Sequence, residues 1–548
     1  MGMFLTQSLM RSILLCLLAL LTIGRADTEP YDFILRGGRI VDGTGNPGFH
    51  ADVAVKGGRI AAIGKITGTA KQEWNVSGLV VAPGFIDVHT HAEDVDDQPL
   101  AENFLRMGVT TLVLGNCGSS ALNVGEFLQQ LEAQTTSPNV ATLVGHGTVR
   151  ARAMRGSFAR PPTDAELAQM KTSVQRAMDD GALGLSTGLI YTPGVFAKTE
   201  ELVELARIAG AADGIYATHQ RSEAGEIFDS LQEIVRIGRE AKVRVQISHL
   251  KLSGPANWGQ TEKVLGVIEA ARAEGIDITQ DQYPYTASST GISQLIPDSM
   301  KDGGRARFLE RLADPAAKCT AISEMKEMLI KRQSPDFSYA VIASYITNPA
   351  LNGLTVKEAA ARLRGGDTLD DQIETVFDIE RNGGASGIFH GMNEADLEAF
   401  LRHPNTMVAS DSGVRRLHAD MPHPRGYGTA ARLLGTYVRD KKVLRLEDGI
   451  RRLTSLPAHT FRLKQRGELR EGNIADITVF DPQTVADRST YGDPHHYSIG
   501  FRYVFVNGTL VVENDRHTGA RPGVVLRREG TKAPPKVPPP SAPAIERR

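Results

Sequence analysis

The stretch at 79–91, LVVAPGFIDVHTH, limits the possible folds more than any other part of the chain. An apolar run ends in a Pro-Gly break, and Phe-Ile-Asp-Val then leads to His89 and His91. Side chains two positions apart on a β-strand point to the same side of the sheet. The two imidazoles can therefore share one metal ion at the end of a buried strand. The alternative for such a pair is a hydrogen-bonded polar cluster without metal.

Apolar runs and amphipathic helical stretches alternate through the middle of the chain. Thr163 and Glu166 have the spacing of a capping box, which predicts the start of a helix at 165–178. This alternation is typical of βα units around a parallel sheet, and eight such strands make a TIM barrel. After the strand that leads to His89, we expect strands at 110–118, 139–147, 182–189, 215–220, 243–250, 277–285 and 406–411. The predicted fold class is α/β, a TIM (β/α)8 barrel of the metallo-dependent hydrolase type.

The two ends of the chain share a different pattern, with short strand-like runs separated by tight turns. Asn507 and Gly508 are predicted to form a hairpin turn between two such runs. We therefore expect one small β-sandwich from both ends, with segments at 27–82 and 460–527. The barrel then occupies 83–459. A long connection at about 287–345 is predicted to be an insertion over the barrel mouth.

The first residues differ in composition from the rest of the chain. Arg11 precedes an apolar run at 12–24, and small residues follow it. The run is shorter than the roughly 20 residues of a membrane-spanning helix, so residues 1–26 are predicted to be a signal peptide of an exported protein, periplasmic or secreted. An uncleaved membrane anchor is the alternative. The proline-rich end at 528–548 is predicted to be a disordered tail.

Candidate ligands lie at the ends of five predicted strands. Active sites of TIM barrels form at this face. Each histidine alone has the alternative of a hydrogen-bonded or surface imidazole, and Asp411 could form an Asx turn. Cys117 could instead form a disulfide with Cys319, but its strand end favours a metal ligand. The predicted ligands are His89, His91, Cys117, His219, His249 and Asp411.

The charge composition argues against a polyanionic partner. The formal net charge is -2 and the signs are well mixed, so no basic stripe predicts binding of nucleic acid or of a membrane surface once the signal is removed. A small-molecule substrate, uncharged or anionic, is the expected partner. The oligomeric state is not predicted.

At these motifs the chain resembles the D-aminoacylases, the N-acyl-D-amino-acid deacylases of the amidohydrolase superfamily. The resemblance covers roughly 31–527. A cysteine stands in GNCG where many members of the superfamily have a carboxylated lysine. The motifs that carry the resemblance are PGFIDVHTH, GNCG, THQRSE, SHLK, ASDSG and HPRGYGT.

The resemblance implies zinc-dependent hydrolysis of N-acyl-D-amino acids to a carboxylate and a free D-amino acid. It implies a tight zinc site at Cys117, His219 and His249, with His89, His91 and Asp411 around a second, weaker position. Zinc would activate water and polarise the scissile carbonyl, while Asp411 would carry the proton from water to the leaving amine.

Four further residues are predicted to contact the substrate. Arg425 could bind the free α-carboxylate through its planar fork of donors, and its alternative is a surface salt bridge. Tyr283 and Ser289 are where the family places further carboxylate contacts, and packing at the barrel rim is the alternative for Tyr283. Lys251, close to His249, could polarise the carbonyl or contact the substrate.

Two other functions remain open from the sequence. A cyclic-amide hydrolase, dihydropyrimidinase-like or dihydroorotase-like, usually has a metal-bridging lysine on strand four, and ALGLSTGL at 182–189 has none. A non-catalytic binding module of the same fold would be expected to have lost ligands, and none is missing. Both alternatives are therefore less favoured than the deacylase.

Overall fold

The computed structural model of the chain describes residues 30–531. The predicted signal peptide at 1–26 and most of the predicted tail at 528–548 lie outside the described residues. Within the described range, no helix has both the length and the apolar character needed to cross a bilayer.

The middle of the chain forms a parallel barrel, which confirms the predicted fold class. Thr90 and Ser412 form a parallel bridge that joins the first barrel strand to the last. The third strand is interrupted at Leu143, and each part pairs with one neighbour. Counted over the described residues, the eight barrel strands are Phe85–Asp87, Val109–Leu114, Asn139–Thr142 with Val144–Gly145, Gly184–Gly188, Ile215–His219, Arg244–Ile247, Ile278–Gln282 and Thr406–Val408.

Both faces of the barrel strands are covered, so even their polar residues, such as Gln246 and Gln280, are buried. Ile86, Val113, Ala217 and Met407 belong to one buried cluster, and a second apolar layer lies between the strands and their helices. The helices of the barrel are Glu102–Leu105, Val124–Gln134, His146–Met154, Asp164–Asp180, Thr199–Ala211, Ile227–Ala241, Thr261–Ala273, Glu394–Arg402, Arg425–Arg432, Leu446–Leu453 and Ser455–Thr460, with a π-helix at Leu433–Asp440 and short 3-10 turns at Glu93–Val95, Gly194–Phe196 and Pro255–Asn257.

Both chain ends contribute strands to one hydrogen-bonded sheet. Val80–Pro83 pairs antiparallel with Ile477–Phe480, which joins the two segments. Phe33 stacks on Phe505 with ring centroids 4.5 Å apart, although their strands are three positions apart in the sheet. Neighbouring strands are about 4.8 Å apart, so the sheet must fold over itself as a sandwich does. Its strands are Tyr31–Ile40, Phe49–Lys56, Arg59–Gly64, Ala70–Asn75, Val80–Pro83, Ile477–Phe480, Phe501–Val506, Thr509–Glu513 and Arg516–His517.

The insertion is longer than predicted. Its first strand, Ala287–Gly291, pairs with Ser386–His390, which also pairs with Ala340–Ser344. The predicted end at 345 is therefore wrong, because the strand that returns the chain to the barrel ends at His390. The inserted unit has its own apolar core. Its helices are Asp298–Lys301, Gly304–Ala313, Pro315–Arg332, Val356–Arg364 and Leu369–Arg381, with 3-10 turns at Ile292–Leu295 and Pro349–Leu351.

Candidate active site and metal centre

The six predicted ligands converge at the C-terminal end of the barrel. Cys117 Sγ lies 3.3 Å from His89 Nε2, 3.8 Å from His219 Nδ1 and 3.7 Å from His249 Nε2. Asp411 Oδ1 lies 3.2 Å from His91 Nε2 and 3.5 Å from His89 Nε2. Four imidazole nitrogens, one thiol and one carboxylate therefore face one small volume.

This donor set suits a metal ion. Within residues 30–531, three groups of potential ligand atoms lie within 4.8 Å of one another: His89, Cys117 and His249; His89, His91 and Asp411; and His219, Glu223 and His249. Thiolate, imidazole and carboxylate are the ligands that zinc prefers in proteins. The buried Nε2 of His219 has no hydrogen-bond partner among the described residues. His89 belongs to two of the groups, and the family resemblance did not imply that arrangement.

The cluster favours the ionised forms of its two acidic groups. Burial raises the pKa of Cys117, but the charge of His89 and the contacts with His219 and His249 lower it well below its usual value. Burial also raises the pKa of Asp411, and the charges of Arg425, His89 and His249 lower it further than burial raises it. A thiolate and a carboxylate are thus available as ligands at neutral pH.

A carboxylate that the sequence did not identify lies beside the histidines. Glu223 Oε1 accepts a hydrogen bond from Lys251 Nζ at 2.5 Å and lies 2.9 Å from His249 Nδ1 and 3.9 Å from His219 Nε2. Burial raises the pKa of Glu223, but the charge of Lys251 keeps it below its ordinary value. The only sequence signal for this residue was its position at the end of THQRSE.

Two buried aspartates hold the ligands from behind, and the sequence did not identify these either. Asp281 accepts a hydrogen bond from the backbone N–H of His249 at 2.9 Å, and its other oxygen lies 3.5 Å from His89 Nδ1. Asp87 accepts from the backbone N–H groups of His89 and Ser410. These contacts fix the strand ends that carry the clustered side chains.

Three of the predicted substrate contacts, Arg425, Tyr283 and Ser289, lie close to one another beside Asp411. Arg425 is buried at the start of a helix, where Nη1 lies 2.8 Å from Asp411 Oδ2 and the guanidinium lies 4.6 Å from the centroid of the Tyr283 ring. Its Nη2 donates to the carbonyl of Ser289 at 3.3 Å. The alternative of a surface salt bridge for Arg425 is therefore wrong.

Lys251 and Tyr283 are also buried. Lys251 Nζ lies 2.8 Å from His249 Nδ1, in addition to its contact with Glu223. The Tyr283 hydroxyl has no hydrogen-bond partner within residues 30–531. A buried hydroxyl without a partner is rare in folded proteins and is available to a ligand.

A cavity of about 480 Å³ opens onto the cluster. His91, Cys117 and Asp411 form part of its wall, together with Tyr191, Ser289 and Thr290. The rest of the wall consists of small, uncharged residues. Cys117 and Cys319 are both free, so the alternative of a disulfide between them is excluded.

Comparison with known proteins agrees with this geometry. The amidohydrolase family profile matches residues 72–512. The D-aminoacylase of Alcaligenes xylosoxydans xylosoxydans is 37% identical, with 92% of this chain and 99% of that protein covered. The N-acyl-D-glutamate deacylase of the same organism is 34% identical, covering 92% and 98%.

A solved structure is similar over the same range. The N-acyl-D-glutamate deacylase from Bordetella bronchiseptica, complexed with zinc and a phosphonate inhibitor, has a TM-score of 0.78 and 36% identity, covering 91% of this chain and all of that chain. Fold, site geometry and sequence identity agree, and this chain belongs to the amidohydrolase family, within its group of D-aminoacylases and N-acyl-D-amino-acid deacylases.

Proposed function

We propose that this protein hydrolyses the amide bond of N-acyl-D-amino acids and releases a carboxylate and a free D-amino acid. The observation that carries the proposal is the contact between Asp411 and Arg425 beside the cluster of thiol and imidazoles. It brings a proton carrier and a carboxylate-binding cation together at one reaction centre. The D configuration rests on the relatives, which are named for D-amino-acid substrates.

We further propose zinc as the metal, with one tightly bound ion and a second, weaker position. Cys117, His219 and His249 would hold the tight ion, and His89, His91 and Asp411 would surround the weaker position. When bound, zinc would polarise the scissile carbonyl and lower the pKa of water. The related deacylase that binds zinc supports this choice of metal.

The side chains of this chain supply the proton transfer and the orientation. Asp411 accepts a proton from the attacking water and donates it to the leaving amine, which otherwise remains bonded to the tetrahedral carbon. The free donors of Arg425 bind the α-carboxylate, with Tyr283 and Ser289 beside it. Lys251 keeps Glu223 ionised and can reach the amide carbonyl. A substrate held this way has its amide next to the proton carrier.

The test is a panel of matched substrates for the zinc-loaded protein. N-acetyl-D-amino acids should be hydrolysed, while their L enantiomers and the corresponding α-carboxamides, which lack the carboxylate, should be poor substrates. Preferential hydrolysis of a cyclic amide, or equal rates for acid and carboxamide, would contradict the proposal. The second result would mean that Arg425 does not bind an α-carboxylate.

We also propose that the protein is exported, to the periplasm or beyond the cell. The support is the apolar run at 12–24 with small residues after it. Sequencing the N-terminus of the mature protein from cell fractions tests this proposal. Cleavage near residue 26 is expected, and an intact N-terminus in the cytoplasmic fraction would contradict it.

A further inference from the structure

A second cavity adjoins the catalytic one beneath the insertion. Its volume is about 670 Å³, and Thr290 lines both cavities. Glu223, which contacts His249, also lies in its wall, so the second cavity borders the histidine cluster. Leu295, Met328 and Phe389 supply an apolar part of the wall. A substrate with its amide at the ligands can therefore extend one of its two ends into this space.

Arg332 places a cation without an acidic partner in that wall. Its Nη2 donates to the carbonyl of His390 at 3.1 Å, its Nη1 lies 3.4 Å from Ser253 Oγ, and its guanidinium lies 3.9 Å from the centroid of the Tyr339 ring. The buried Nε has no hydrogen-bond partner in the described part of the chain. An arginine has five N–H donors, so several remain for a ligand.

The neighbouring charges leave Arg332 unneutralised. Glu223 is paired with Lys251, and Glu226 is exposed at the rim of the cavity. Across residues 30–531, no carboxylate oxygen lies within 4.0 Å of the Arg332 guanidinium, and Lys331 adds another positive charge to the wall. Burial lowers the pKa of Arg332, because the guanidinium is partly removed from water without a counter-ion.

The first cavity has no comparable unpaired positive charge among the described residues of its wall. Apart from the cluster itself, its wall carries no charged side chain. An anionic extension of the substrate is therefore better accommodated beside Arg332 than in the first cavity. The apolar wall formed by Leu295, Met328 and Phe389 suits a short aliphatic chain that leads to the anion.

Given the proposed function, we propose that Arg332 binds a second carboxylate of the substrate, carried on a short aliphatic chain. The preferred substrates are then N-acyl-D-amino acids with two carboxylates. The second carboxylate belongs either to an acidic amino-acid side chain or to a dicarboxylic acyl group. In both cases a charge-assisted fork holds it, which is the geometry that guanidinium provides.

Two matched pairs of substrates test the proposal and separate the two sources. N-acetyl-D-glutamate is compared with N-acetyl-D-glutamine, and N-succinyl-D-leucine with N-butyryl-D-leucine. In one of the pairs, kcat/KM should be about tenfold or more higher for the substrate with the second carboxylate than for its uncharged counterpart. The uncharged counterpart loses a hydrogen bond to a charged group, and that loss accounts for a difference of this size. Preference within the first pair identifies the side chain, and preference within the second identifies the acyl group.

Substitution of the cation then assigns the effect to Arg332. Arg332→Gln should lower the preferred ratio by about tenfold to a hundredfold. Arg307→Gln is the matched control, because Arg307 is an exposed arginine of the same insertion that pairs with Glu310. It should leave both ratios unchanged.

Two results would overturn the inference. The first is that the unmodified protein shows no preference for the carboxylate in either pair. The second is that Arg332→Gln lowers kcat/KM equally for the charged and the uncharged substrates. Hydrolysis of the uncharged members without a carboxylate preference leaves the proposed function intact. If none of the four compounds is hydrolysed, the proposed function fails together with the inference.

Discussion

Three residues of the cluster have a backbone conformation that residues other than glycine rarely adopt. The φ angles of Cys117, His249 and Asp411 are 51°, 36° and 52°. Such left-handed residues cost free energy and persist where surrounding contacts fix them. Here the amide of His249 donates to Asp281, and that of Asp411 donates to the carbonyl of His89 at 2.8 Å. The backbone therefore turns at the strand end and directs each side chain towards the cluster.

The role of the thiol can be tested by metal content. Cys117→Ala should remove one ligand from the centre of the cluster, so the purified protein should lose its tightly bound zinc. Cys319→Ala is the matched control, because Cys319 is free and exposed, and it should keep the metal. Elemental analysis after dialysis decides the question, and full zinc occupancy in Cys117→Ala would show that the thiol is not a ligand.

The proton carrier can be tested by an isosteric change. Asp411→Asn keeps the shape but cannot accept a proton, so turnover should fall by roughly 10²–10⁴-fold. Asp493→Asn changes an exposed aspartate that pairs with His496, and it should leave turnover unchanged. Metal content is measured in both variants. Normal turnover in an Asp411→Asn protein that retains its zinc would mean that another group transfers the proton.

The sequence indicated the residues of the cluster better than the residues that support them. Each predicted ligand lies at or just after the end of a predicted strand, and the face of the barrel to which it belongs follows from the fold. Glu223 lies in the loop after a strand, and Asp281 lies within a strand. Nothing in a single sequence indicates that a carboxylate within such a segment accepts a hydrogen bond from another strand end, because that contact depends on barrel closure.

Among the elements, the barrel strands and the helix after Thr163 could be predicted because their signals are local. The Thr163 hydroxyl accepts from the amide of Glu166, and the carboxylate of Glu166 accepts from the amide of Thr163, as the capping box requires. The end of the insertion could not be predicted this way. Ser386–His390 is a short strand whose partners, Ala287–Gly291 and Ala340–Ser344, lie far away in sequence.

The capping box gives a prediction for one element. Thr163→Ala leaves the amide of Glu166 without its side-chain acceptor, so the free energy of unfolding should fall by about 0.5–2 kcal/mol. Denaturant titration measures the change. Thr163→Ser retains the hydroxyl and should lie close to the unmodified protein. A Thr163→Ala protein as stable as Thr163→Ser would show that the cap does not contribute.

For the whole molecule, the similar strand patterns at both ends correctly predicted that the ends share one β-structure. Because Val80–Pro83 pairs with Ile477–Phe480, the whole barrel lies in sequence between the two segments of one sheet. The order of the strands in that sheet could not be predicted from the sequence. Antiparallel neighbours that are far apart in sequence are not joined by a hairpin turn, so no turn motif indicates that they pair.

This closure has a consequence for synthesis. Proteins emerge from the ribosome N-terminal end first, yet Val80–Pro83 finds its antiparallel partner only in Ile477–Phe480. Phe505, on which Phe33 stacks, is translated later still. The first segment of the sheet therefore stays incomplete while the barrel is being made. Completion of the sheet is therefore a late step of folding, and until then the unpaired edge must be kept from pairing with other chains.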